Sequence, residues 1–207
     1  MLDYYDKAEF EVGIDEAGVG TLVGSLYVGA VILPPSCPEG TEKLWNQIKD
    51  SKKLSREKRE DLAKYIKEIA TEWVVIPVSN EEVDQVNILE SRLRGYHRAM
   101  DKLIFEPTLI LVDGNKMRQY RTTPHHCIIK GDDKYRSIAA ASILAKVEKD
   151  REMQKLHHLY PQYNWIRNCG YLTEEHKKKI EEFGITSFHR KTYGICKKYG
   201  DSSGNNS

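Results

Sequence analysis

Cysteine is scarce in this chain, and the four present do not pair: Cys37, Cys127, Cys169 and Cys196 stand far apart with no CxxC spacing. That excludes a zinc ribbon and a disulfide framework and leaves reduced thiols. An excess of charge of either sign is also missing. With 32 Lys and Arg against 31 Asp and Glu the net charge is +1, so the protein is not built to coat nucleic acid by bulk electrostatics. No apolar run approaches the roughly 18 residues of a membrane span. The opening segment, MLDYYDKAEF, is acidic and polar where a secretory signal would be basic and then apolar. A cytoplasmic protein without membrane contact is expected. Internal repeats are absent, and the only biased segment is the tail GDSSGNNS (200–207), too polar to bury anything and expected to be disordered. With 40% hydrophobic residues, the rest supports one sizeable core, so a single domain over 1–199 is expected.

Charge that cancels globally is clustered locally. Positive runs occur in KDSKKLSREKRE, at 176–179 (HKKK), 189–191 (HRK) and 197–198, and acids gather around 81–90. The ordinary reading is solvated helix faces, which permit a phosphate-binding stripe without proving one.

Periodicity alternates strands with helices. FEVGID and SLYVGAVILPP read as two strands joined by a glycine-rich hairpin connection, the second ended by Pro34 and Pro35. A helix capped by Ser55 carries Leu62, Ala63, Ile66 and Ile69 on one face, and EWVVIPVS is a third strand. Residues 80–104 have helical spacing and read as one or two helices. TLILVDG is a buried strand ending at Asp113, and CIIKGDD repeats the pattern, ending near Asp132 and Asp133. The strongest helix begins at Tyr135 and runs through SIAAASILAKVEKDREMQKLHHLY; a shorter one, TEEHKKKIEEFG, starts at the cap Thr173 and stops at Gly184.

The stretch GIDEAGVGTLVG admits three readings: a phosphate loop, a metal site or a plain turn. A dinucleotide fingerprint needs a helix after its glycines, whereas LYVGAVIL forms strand. The turn reading requires only glycines between strands and leaves Asp15 and Glu16 as solvated ends. The metal reading gains from Asp113 and Asp132, since three strand ends would each deliver a carboxylate to one place. Four hard oxygen ligands without histidine or cysteine suit Mg²⁺ or Mn²⁺ rather than zinc, and such ions serve phosphoryl transfer. One conflict stands within it: consecutive strand residues face opposite sides, so Asp15 and Glu16 cannot both point inward from a regular strand. A bulge or a sharp exit at the following glycines would relieve it.

In order and spacing, GIDEAGVGTLVGSLYVGAVIL, DSKKLS (50–55), LVDGN (111–115), IKGDDKYRSIAAASILAKVEKDR (129–151) and GYLTEEH (170–176) resemble type 2 ribonuclease H, ribonuclease HII. The likeness runs from about residue 11 to residue 193. It implies a ribonuclease H-like α/β fold, a mixed sheet flanked by helices with a helical C-terminal portion. It also implies a metal-dependent endonuclease that hydrolyses the RNA strand of RNA–DNA hybrids, leaving a 3′-hydroxyl and a 5′-phosphate, and that acts on ribonucleotides embedded in DNA. The family's acids fall on Asp15, Glu16, Asp113 and Asp132, which would hold Mg²⁺ or Mn²⁺ in a two-metal arrangement. Asp133 and Asp150 are nearby alternatives; Asp150 is more simply a surface ion pair.

The same resemblance places substrate contacts at the backbone of Gly18, Val19 and Gly20, which would meet the ribose 2′-hydroxyl, and at Tyr171, which would pack on the neighbouring sugar. Lys53, Lys130 and Asn115 match motif residues, the lysines as phosphate contacts. Ala139–Ser142 would let the long helix lie close to the strand ends. His125–His126 and His157–His158 lack spaced acidic partners and are assigned no metal. Where this chain has Val19 and TLVGS, the family usually has an arginine and a PLAGP-like string. Losing that arginine removes a charge and a fork of phosphate donors. The alternatives are a type 3-like enzyme preferring longer RNA tracts and a non-catalytic hybrid-binding module. A monomer is expected.

Overall fold

The computed structural model describes residues 1–6, 8–49 and 54–200. Five strands form one mixed sheet: β1 (Glu11–Ala17), β2 (Leu26–Ile32), β3 (Glu72–Val78), β4 (Leu109–Asp113) and β5 (His125–Ile128). Their order across the sheet is β3-β2-β1-β4-β5. The expected hairpin of β1 and β2 is present, β3 pairs antiparallel to β2, and β4 and β5 run parallel to β1.

The helices in chain order are α1 (Glu42–Trp45), α2 (Arg56–Ile69), α3 (Asn80–Val86), α4 (Ile88–Asp101), α5 (Gly131–Lys134), α6 (Arg136–Leu159), α7 (Trp165–Asn168), α8 (Glu174–Phe183) and α9 (Lys197–Gly200). Ser55 caps α2 through Lys58 N–H, and Thr173 caps α8 through His176 N–H, as side-chain oxygens do for the orphan donors of a first turn. Asn87, at φ 68°, splits the 80–104 region into α3 and α4 and caps the second with its own side chain.

Alternation along β1 sorts its side chains between two helical layers. Val12 and Ile14 join Val28, Ala30, Tyr96 and Met100 in a core between the sheet and α4. On the other face Val31, Leu62, Ile66, Ala140 and Leu144 form a core with α2 and α6. There the sheet has no room for side chains where α6 crosses it. A Cβ on Gly13 would lie 2.1 Å from the Ser137 carbonyl carbon, and one on Gly29 would lie 2.4 Å from the Ala141 carbonyl oxygen. Ala139, Ala140 and Ala141 are fully buried against this surface, the packing role expected of that run. The C-terminal helices build a third cluster in which Trp165, Tyr163 and Ile180 pack on Met153 and Leu156 of α6 and on Leu22 and Val23 of the β1–β2 connection.

Several expectations need correction. The strand before KGD stops at Ile128, Lys130 adopts a left-handed φ of 56°, and Asp132 sits in the one-turn helix α5 rather than at a strand end. Four members of the supposedly solvated charge runs are buried: Arg59, His176, His189 and Arg190. Asp150 does form ion pairs, at 2.7 Å to both Arg59 and Lys146, but it is buried between α2 and α6 instead of lying on the surface. Lys53 and residues 201–207 of the polar tail lie outside the described residues.

Candidate active site

Parity and pairing decide what gathers at the C-terminal ends of β1 and β4. Ile14 pairs with Val112, so the next residues, Asp15 and Asp113, are neighbours on the α6 face. Asp15 is buried, accepts from Ser142 of α6 and takes the Glu16 N–H at 2.7 Å on Oδ1. Burial, followed by the charges of Glu16 and Asp113, pushes the Asp15 carboxyl well above the usual carboxylate range. Asp113 Oδ1 accepts the Gly131 N–H at 2.7 Å, which ties the residue before Asp132 to the end of β4.

Glu16 goes the other way. The strand is regular through Ala17, with Asp15 opposite Gly29 and Glu16 opposite Val28, so of the two devices expected there is no bulge but a sharp exit at Gly18, and Glu16 faces α4. Arg92 Nη2 lies 2.7 Å from its Oε1, and the Tyr96 hydroxyl donates to its Oε2 in a short hydrogen bond. Burial raises the Glu16 carboxyl, while Arg92 and Tyr96 oppose that rise.

The two faces meet where the strand ends. A cavity of about 210 Å³ is lined by Asp15, Glu16 and Asp113, by Gly18, Val19 and Gly20 of the turn, and by Ser142, Lys146 and Tyr171. Asp132 is buried but does not line it. Among the described residues no three His, Cys, Asp or Glu side chains are gathered closely enough to hold an ion, in keeping with Asp15 bonded toward α6 and Glu16 toward α4. The donors present nevertheless suit a hard cation: they are all carboxylate oxygens, and the repulsion of Asp15 by Glu16 and Asp113 is what a bound divalent charge would relieve. A larger cavity of about 460 Å³ lies at the opposite end of the sheet. Two of its three acids, which include Glu9, are already committed: Glu11 to the Tyr5 N–H and the Ser137 hydroxyl, Asp3 to Arg136 and Trp45.

The turn after β1 is held from below by buried cations. Gly18 makes the exit at φ 95°, a conformation that favours glycine. Arg190, fully buried, donates from Nη1 to the Val19 carbonyl at 3.0 Å and from Nη2 to the Gly24 carbonyl at 3.0 Å. The buried Lys149 donates to the Val23 carbonyl at 2.7 Å and to Glu152, whose carboxylate also receives the Ser25 N–H and hydroxyl. The Tyr193 hydroxyl adds a second donor to Val19 O at 3.2 Å, and the Val19 side chain packs on Leu26, Val78 and Val83. Both carbonyls flanking the turn's first peptide are therefore engaged, since Gly18 O accepts the Thr21 hydroxyl.

Tyr171 lines the cavity and is 45% exposed as a residue. Its backbone is fixed by a buried relay. Trp165 Nε1, a donor only, points at His176 Nε2 at 3.1 Å; His176 must therefore carry its proton on Nδ1 and donate it to the Tyr171 carbonyl at 2.8 Å. Lys130 and Asn115 are exposed beside Gly131 and Asp113. Sequence reasoning did not single out Arg92, Tyr96, Lys149 or Arg190. The i,i+4 spacing of Arg92 and Tyr96 was visible, but that they face an acid requires the position of α4.

A mixed five-stranded sheet with carboxylates at the end of its central strands and helices on both faces defines a ribonuclease H-like nuclease. The ribonuclease HII family model matches residues 12–196. Ribonuclease HII of Bacteroides thetaiotaomicron is 44% identical over 195 residues, 94% of each chain. The crystal structure of ribonuclease H2 from Pyrococcus horikoshii OT3 superposes with a TM-score of 0.75 over 95% of this chain and 99% of that one, at 27% identity. Bst-RNase HIII in complex with Mn²⁺ shares the fold, with a TM-score of 0.67 at 21% identity, over 92% of this chain and 68% of its own. The chain belongs to the ribonuclease HII family and is an endoribonuclease of the type 2 ribonuclease H class, which acts on RNA–DNA hybrids with divalent metal. No helix among the described residues is long and apolar enough to cross a membrane.

Proposed function

We propose that Asp15, Glu16, Asp113 and Asp132 hold Mg²⁺ or Mn²⁺ in a two-metal arrangement, and that the enzyme cuts RNA in hybrids and ribonucleotides embedded in DNA. The observation that carries this reading is the shared cavity: Asp15, Glu16 and Asp113 meet there beside the Gly18–Gly20 turn and Tyr171. Asp132 follows the peptide that Asp113 already accepts, so the α5 turn lies against the same strand end. The Mn²⁺ complex of the related fold supports the choice of ion. When bound, such ions supply an activated water and stabilise the leaving oxygen, giving a 3′-hydroxyl and a 5′-phosphate.

The protein's own groups select the substrate. Because the Val19 carbonyl already accepts from both Arg190 and Tyr193, recognition of the ribose 2′-hydroxyl falls to the N–H groups of the Gly18–Gly20 turn, donating to the hydroxyl oxygen, and to the remaining lone pair of the Gly18 carbonyl. The exposed Tyr171 ring offers a face for the adjoining sugar. Lys130 and Asn115, with Lys53 from the resemblance, approach the phosphates; such contacts position the duplex rather than read its sequence. The protein acts as a cytoplasmic monomer. A second reading, preference for longer RNA tracts as in type 3 enzymes, is favoured by the packing of Val19, which brings no cation to the turn.

The test is incubation of intact folded protein with labelled hybrid in Mg²⁺ and in Mn²⁺. Cleavage of the RNA strand to 5′-phosphate products is expected. No cleavage with either ion would refute the assignment, and equal cutting of an all-DNA duplex would refute the substrate class.

A further inference from the structure

Resting on the proposed metal site, we propose that Arg92 and Tyr96 form a clamp on Glu16 that sets how tightly the cavity takes a divalent cation. Both residues come from α4, one turn apart and on the same side of the helix. They reach the strand because of Gly95 between them, where a Cβ would sit 2.8 Å from Val28 Cγ2 and 3.1 Å from Val78 Cγ2; only a glycine lets α4 lie this close without displacing those side chains.

The clamp is closed on itself. Arg92 Nη2 serves Glu16 Oε1 at 2.7 Å and the Tyr96 oxygen at 3.0 Å, and the Tyr96 hydroxyl serves Glu16 Oε2. Both oxygens of Glu16 are thus engaged from the α4 side, away from the face on which Asp15 and Asp113 stand. The guanidinium also overlies the end of β4, with Nη2 3.6 Å from where a Cβ of Gly114 would be. Its Nε is buried without an acceptor, so the group is placed for the carboxylate rather than for its own full complement of bonds.

Two consequences follow for a cation in the cavity. The permanent charge of Arg92 subtracts from the negative potential the carboxylates create. Glu16 must also loosen one of its two bonds before an oxygen can turn toward Asp15. Arg92 and Tyr96 are positioning residues: they act on the cation through Glu16 and not by touching it.

The experiment titrates Mn²⁺ alone into nucleic-acid-free protein, following free Mn²⁺ by electron paramagnetic resonance, with thermal unfolding to verify folding. Arg92→Met should bind Mn²⁺ about fivefold more tightly, the scale of one partly exposed ion pair. Tyr96→Phe, which keeps the packed ring, should tighten binding about twofold, a fraction of one hydrogen bond. Arg92→Lys, which restores the charge, should stay near wild type. Unchanged or weaker binding in both Arg92→Met and Tyr96→Phe, with wild type binding normally, overturns the clamp and leaves the metal site standing. No binding by wild type or by any variant overturns both. Should Arg92→Met fail to fold, Tyr96→Phe alone decides.

Discussion

Asp15 and Glu16 are adjacent in the chain yet bonded to opposite layers, Asp15 to Ser142 of α6 and Glu16 to Arg92 of α4. A continuous β register forces this split, and the cavity at the strand end is where the two faces converge. The grouping of these acids weakens the fold, because burial and mutual repulsion hold Asp15 protonated to a higher pH than in an unfolded chain.

Asp15→Asn should therefore abolish cleavage and stabilise the fold. At neutral pH, where the unfolded chain carries this carboxyl ionised, the wild-type fold bears the cost of burying that charge or of protonating it, which the neutral isostere lacks. A rise of about 1–2 kcal/mol, or roughly 3–6 °C in Tm for a domain of this size, is expected in divalent-free buffer. Loss of activity with an unchanged or lower Tm would contradict the electrostatic account.

Gly29→Val should disrupt the contact between sheet and helix. Its Cβ would fall 2.4 Å from the Ala141 carbonyl, and backbone cannot swing aside as a side chain can. A loss of about 3 kcal/mol is expected, read as a lower urea midpoint at constant slope. Ser142 is the next residue along α6, so activity measured well below that midpoint should also fall.

Val19→Arg should shift substrate choice. A guanidinium at the turn restores a charged donor to phosphate, an effect of roughly tenfold. Compared with wild type, the variant should cut a duplex with one embedded ribonucleotide better relative to one with four. An unchanged ratio would locate single-ribonucleotide preference elsewhere. Because Val19 packs on Leu26 and Val83, a modest loss of stability should accompany the change.

Stability should fall on acidification through the C-terminal cluster. Burial, then the neighbouring His176, pushes His189 down to about 3, and burial lowers His176 as well. Below about pH 6.5 the unfolded chain binds protons that the folded one refuses. This contribution is complete above that pH and is lost as pH drops, by on the order of 2 kcal/mol from His189 at about pH 5. Equilibrium unfolding at pH 7 and 5 measures it, and His189→Phe should flatten the difference.

Much of this was legible in the chain. β1, β2 and β4 announced themselves as β-branched runs stopped by glycine or proline, and Ser55 and Thr173 marked helix starts through their own side-chain chemistry. The order of five motifs identified the family, and three of the four proposed acids share one cavity. What escaped reading depends on partners distant in sequence. Nothing near Arg190 distinguishes it from the lysines around it; only the approach of the Gly24 carbonyl makes it a core residue. Asp150 looked like a surface charge because Arg59, 91 residues earlier, was not known to meet it. β5 was drawn too long because Lys130 takes a left-handed conformation that lysine rarely adopts.

The anchoring of Gly24 and Val19 by Arg190 has a consequence for synthesis. A nascent chain exposes the turn after β1 early, yet the guanidinium that fixes it is added 166 residues later. Until then the Val19 and Gly24 carbonyls lack the side-chain donors that hold them in the fold. An enzyme that degrades RNA is made on a ribosome, beside messenger and ribosomal RNA, and the loop proposed to face its substrate stays unset until Arg190 has emerged.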